Sequence, residues 1–135
     1  LHRRYRRTRK LAPDYWPYGC LRDLARLPHV QETWLGIDHT LAASEQTPAG
    51  AYGGFILTPP LVHDEHFQCV SLVDGRKVGI MQVMPIYAEE LELKIEEGAE
   101  TLFDLFDDYE IGGTIQRSRL NVVTLHGRKK RMGLF

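Results

Sequence analysis

The sequence predicts an α+β fold, in which a mixed, mainly antiparallel β-sheet is flanked by helices. Asp74-Gly75 between two apolar runs is hairpin chemistry, and after Pro85 the apolar spacing changes from that of a strand to that of a helix. The elements then run helix, three or four strands, helix pair, strand. With 135 residues the chain is long enough for one domain, or most of one, at about 100–200 residues per domain. A composition 43% hydrophobic and 26% charged excludes wholesale disorder.

Taken in order, Asp14 precedes Tyr15-Trp16-Pro17, and a proline fits the first turn of a helix because its missing N–H is not needed there. An apolar stripe through Leu21, Leu24 and Ala25 runs to about Leu27, where Pro28 is expected to stop it. Glu32 to Ile37 reads as a short strand, and residues 42–54 as a loop rich in small residues, Pro and Gly. Phe55 to Thr58 is a strand ended by Pro59-Pro60. His66 to Val73 is a strand with Phe67, Cys69 and Val73 on one face, and Lys77 to Pro85, apolar on both faces, reads as central. Leu91 and Ile95 mark a helix face, Glu90 and Lys94 an i,i+4 pair, and Gly98 a break. Leu102, Leu105, Phe106 and Tyr109 repeat at helical spacing until Gly112-Gly113. Leu120 to Leu125 reads as a last strand.

The net charge of −1 conceals an uneven distribution. Residues 1–10 carry six basic residues (Arg3, Arg4, Arg6, Arg7, Arg9, Lys10) and no acid, and residues 126–135 carry Arg128, Lys129, Lys130 and Arg131, again without acid. Residues 11–125 therefore hold the other seven bases against all 18 acids, a net of −11. This predicts a domain over 11–125 between a solvated, flexible arm and a basic tail. The acidic body repels nucleic acid and favours a basic partner. Residues 89–110 alone hold ten acids and one base, Lys94. Charge this dense costs stability through repulsion. This excess of charge nominates Glu89, Glu90, Glu96, Glu97, Glu100, Asp104, Asp107 and Asp108 as a partner-binding face.

Catalytic chemistry finds little footing. No Gly-x-Ser-x-Gly elbow or phosphate loop occurs, and Gly53-Gly54 precedes a strand rather than a helix. Cys20 sits among helical leucines as an inert buried thiol, and Cys69 lies inside a strand. His63-Asp64-Glu65-His66 offers metal-binding side chains, but the two histidines stand three apart at a loop-to-strand junction and lack further ligands at usable spacing. A metal-dependent hydrolase around His63 and His66 is the lesser alternative, and nucleic-acid binding through the basic arms the greater. No catalytic residue, metal or cofactor is expected. No run of about 18 apolar residues marks a membrane span. Two cysteines are too few for a disulfide scaffold and predict a reducing, cytoplasmic setting. Leu1 in place of Met fits a fragment or a trimmed start.

Several segments in order resemble the Suppressor of fused family, particularly its bacterial branch. They are Tyr15-Trp16-Pro17 with Leu24-Ala25-Arg26, Glu32-Thr33-Trp34, Asp38-His39-Thr40, Gly54 to Leu57, Gly79 to Tyr87 with Glu89-Glu90-Leu91, Leu102 to Phe106, Ile111-Gly112-Gly113 and Arg117 to Arg119. The resemblance spans about residues 15–123 and leaves the basic arms unmatched. It implies stoichiometric protein binding rather than catalysis. Animal members hold a transcription factor in a cleft, partly by pairing a peptide with strand edges. Bacterial members accompany toxins as immunity proteins, so the implied partner is a basic toxin domain. It further implies a partner-cleft role for Asp38 and His39. Trp16 and Trp34 match family positions too, but their large apolar rings are expected to be buried. Strands that usually open the family's domain have no counterpart here, which would leave a sheet edge exposed to pairing with a second copy.

Overall fold

The computed structural model describes residues 16–45, 47–61 and 65–133, with only the backbone of Glu65 and His66. The arm at 1–10, Asp14-Tyr15, His63 and Asp64 lie outside the described residues. The order is α1 (Trp16–Val30), β1 (Thr40–Ala42), β2 (Gly54–Thr58), β3 (Cys69–Ser71), β4 (Lys77–Gly79), β5 (Gln82–Ile86), α2 (Ala88–Glu97), α3 (Ala99–Asp108) and α4 (Val122–Arg131). A short 3-10 turn, Glu65–Gln68, leads into β3. The fold is α+β, and every pairing among the described residues is antiparallel.

β1, β2 and β5 form one sheet with β2 in the middle, and β3 and β4 form a separate hairpin. All five residues of β2 are buried. Alternation splits its side chains between two layers. Phe55 packs with Cys20 and Leu24 of α1, with Ala49 and with Tyr52. Ile56 packs on the opposite face with Met84, Ile86, Leu102, Phe106 and Val122. The sheet thus lies between α1 on one side and the three later helices on the other.

The hairpin turn forms as its residues demand. Gly75 takes φ 86°, which a side chain would resist, and Asp74 accepts the Arg76 N–H at 3.0 Å. Gly98 joins α2 to α3 at φ 94°, in glycine territory again.

Six sequence expectations need correction. The strand expected over Lys77–Pro85 is two strands, and β5 is an edge strand rather than a central one. Ile86 accepts the Gly53 N–H, so the even residues of β5 face β2 and Pro85 turns its missing N–H outward, as an edge allows. The strand expected over His66–Val73 shrinks to three exposed residues. Glu32–Ile37 is a turn and loop: Glu32 has φ 48°, and the strand begins only at Thr40. Leu120–Leu125 is not a strand, because the Asn121 side chain accepts from the N–H groups of Val123 (3.2 Å) and Thr124 (3.3 Å) and starts α4. α1 passes Pro28, since a proline removes one donor while the Gln31 N–H still reaches the Leu27 carbonyl at 2.9 Å. α2 turns Leu91 and Leu93 to the core and leaves Ile95 70% exposed.

Candidate partner-binding site

Asp38 and His39 lead directly into β1. Asp38 is exposed, has φ 67°, and donates its N–H to the Leu57 carbonyl at 2.8 Å. The His39 carbonyl accepts the Leu57 N–H at 2.9 Å, and His39 Nδ1 accepts the Gly36 N–H at 3.2 Å. Its ring lies 4.5 Å from that of Trp34, which is 70% exposed rather than buried. Trp16 is half-buried, 6.2 Å from the rings of Tyr52 and Phe55.

Because His39 and Ala43 bond to β2, alternation directs the backbone groups of Thr40 and Ala42 away from it. They face a groove of about 610 Å³ whose other wall is α1, with Leu24, Leu27 and Val30 apolar and Asp23 and Arg26 charged. No described strand pairs with this outer edge. The groove combines unpaired backbone donors and acceptors with an apolar wall, which is what an extended peptide needs for strand addition.

Opposite this layer, Glu89, Glu96, Glu97, Glu100, Asp104, Asp107 and Asp108 are exposed on α2 and α3, with Glu100, Asp104, Asp107 and Asp108 at the spacing of one helix face. The groove and the acidic stripe belong to different layers, so these nominated residues do not converge on one site. α4 also changes the charge picture. Arg128 to Arg131, read as a tail, form the end of a helix packed beside α2 and α3. Residues 88–131 carry ten acids against seven bases, a net of −3.

Glu90 leaves the proposed binding face altogether. It is fully buried, and its carboxylate meets the Arg119 guanidinium in a two-pronged pair with both contacts at 2.7 Å. The same carboxylate accepts the N–H groups of Tyr87 (2.9 Å) and Val122 (3.1 Å). Arg119 also donates to the carbonyls of Pro85 (3.1 Å) and Leu120 (3.0 Å), and lies 4.9–5.6 Å from the ring centres of Phe106, Tyr87 and Tyr52. Tyr52 donates to the Gln116 carbonyl at 2.8 Å, and burial, more than the neighbouring Tyr87, raises its pKa. Sequence reasoning missed this cluster. Its one signal was Glu90 at the third position of a helix that follows a strand, where a carboxylate can reach back to the cap.

The thiols differ. Cys20 is buried, and burial together with the Asp23 charge pushes its pKa up to about 12. Cys69 lies in β3, as expected, but is exposed. Among the described residues, no three His, Cys, Asp or Glu side chains gather as a metal site, and no helix is long and apolar enough to cross a membrane.

No curated protein matches the chain. A family model described as Suppressor of fused protein matches residues 1–119, which takes in the arginine-rich start, α1, the sheet, the acidic helices and Arg119. The chain belongs to the Suppressor of fused family.

Proposed function

We propose that this domain is an immunity protein that holds a basic toxin domain inactive in the cytoplasm by stoichiometric binding. The family is one of non-enzymatic regulators whose domains mediate protein–protein interactions. The observation that carries the reading is the open outer edge of β1 facing its groove. In this reading an extended toxin segment adds to β1 through Thr40 and Ala42 and seats apolar side chains against Leu27 and Val30. Asp38 and His39 immediately precede β1 in the chain and would meet the segment as it leaves the edge. The exposed acids of α2 and α3 steer a basic partner by long-range attraction.

The test is co-expression with the product of the neighbouring open reading frame, followed by calorimetric titration of the purified pair. A one-to-one complex that protects the cell is expected. Ala42→Pro should abolish it without unfolding the domain, because the lost N–H faces outward. Lys at Glu96, Glu97, Asp104 and Asp107 should slow association and make it less salt-sensitive. A neighbouring product that neither harms the cell nor binds would overturn the toxin assignment. Binding unaffected by Ala42→Pro would remove the β1 edge from it.

A further inference from the structure

The β3–β4 hairpin stands apart from the three-stranded sheet. Val70 pairs with Val78, and alternation sets Leu72 on the same face. That face is apolar and open: Val70 is 48% exposed, Val78 47% and Leu72 39%. A two-stranded hairpin is marginal alone, and three or more strands with an apolar face are the usual remedy. The molecule leaves room for a further strand, since no described strand pairs with either outer edge.

The two edges differ. The Leu72 N–H bonds to the Arg76 carbonyl and the Ile80 N–H to the Gln68 carbonyl, so Val70 faces β4, and the backbone groups of Cys69 and Ser71 face outward. The outward positions of β4 are Lys77 and Gly79, and an edge lysine discourages pairing. β3 offers only the small, uncharged Cys69 and Ser71, without charge, proline or bulge.

We infer that the outer edge of β3 pairs antiparallel with β3 of a second copy of this chain, about a two-fold axis at Val70. The axis sets Cys69 opposite Ser71 of the other copy in two hydrogen-bonded pairs and brings the two Val70 side chains together. The result is a four-stranded sheet with one continuous apolar face, the closed two-fold arrangement usual for dimers. Charge favours a copy over another partner. The hairpin's Asp74 and Arg76 neutralise each other at 2.7 Å, and its remaining charge, Lys77, lies on β4, so the β3 edge itself presents no charge for a charged ligand to read. A whole-chain charge of −1 lets two copies approach with little repulsion. This contact is independent of the β1 groove.

Sedimentation and oxidative cross-linking test it. The unmodified chain should sediment as a dimer at high concentration, and Ser71→Lys should return it to monomer while circular dichroism and melting temperature stay unchanged. Ser71→Cys should give a covalent dimer on mild oxidation, because residues 69 and 71 of opposite copies then face each other within disulfide reach. The unmodified chain should not, since its two Cys69 residues would be diagonal neighbours about 7–8 Å apart. A monomer at all concentrations, a dimer indifferent to Ser71→Lys, or a ready Cys69–Cys69 bond in the unmodified chain would overturn the assignment.

Discussion

β1 and β5 flank the same central strand, yet their outer edges are finished in opposite ways. Along β5 the outward positions are Val83 and Pro85; proline has no N–H to leave unpaired, and its carbonyl is taken by Arg119. The Gln82 side chain accepts the Leu61 N–H at 2.9 Å and donates to the Gly113 carbonyl, so the segment between α3 and α4 is lashed along that side. Along β1, Thr40 and Ala42 meet a groove instead. Folded chains usually blunt every edge they do not use. The elaborate closure of one side makes the openness of the other informative, and it points to use rather than neglect.

Arg119→Ala attacks the closed side most severely. It strands Glu90 as a buried, unpaired carboxylate, which costs about 3–5 kcal/mol, and urea unfolding should show that loss with early hydrogen exchange along residues 82–86. Replacing both Glu90 and Arg119 with methionine should restore much of the stability, because removing a whole buried pair is far cheaper than breaking it. Gln82→Ala removes two ties and should cost about 1–3 kcal/mol, read in the same titration. On the open side, Ala42→Pro should change stability by no more than about 0.5 kcal/mol, whereas Leu41→Pro, which breaks the ladder to β2, should be plainly destabilising. If the two proline variants are equally harmful, the outward assignment of Ala42 is wrong.

The smallest effect concerns α1, the groove's other wall. With Cys20 buried beneath it, a thiol reagent should label only Cys69 in the native chain and both cysteines after unfolding. Burial raises the Cys20 pKa from 9.0 to about 12, so folding favours the neutral thiol. That contribution is complete below pH 9 and is lost as pH rises toward 12. Alkali should therefore loosen α1, and Cys20 labelling should report it.

Where local chemistry decides the outcome, the sequence was a good guide. Asp74-Gly75 made its hairpin, Gly98 separated two helices, and the prolines after Thr58 ended β2. Readings failed where a distant partner decides. Val122-Val123-Thr124 has strand-forming residues, but a capping Asn121 and the Glu90 carboxylate waiting for the Val122 N–H make it helical. Glu90 looked like one more surface acid because nothing nearby announces Arg119, 29 residues away. Trp34 was expected inside on size alone, while its ring rests on His39 at the surface. Pro85 did carry a usable signal, since a proline argues against a central strand. Of the candidate site, seven of the eight nominated helix acids are exposed, as charge alone suggests; Asp38, nominated by the family resemblance, is exposed too, and His39 is half-buried. The groove between α1 and β1 was not legible, because it exists only once residues about 15 positions apart have met.

The Glu90 carboxylate also sets where this chain can be cut. It binds the guanidinium that straps the preceding loop and the first amide of α4, so the last third of the domain assembles around one side chain. A piece ending at residue 118 would keep the sheet and both acidic helices, yet would trap an ion with nothing to answer it. Shortened versions meant for binding studies should therefore retain Arg119 and the opening turn that follows, or carry a neutral residue at position 90.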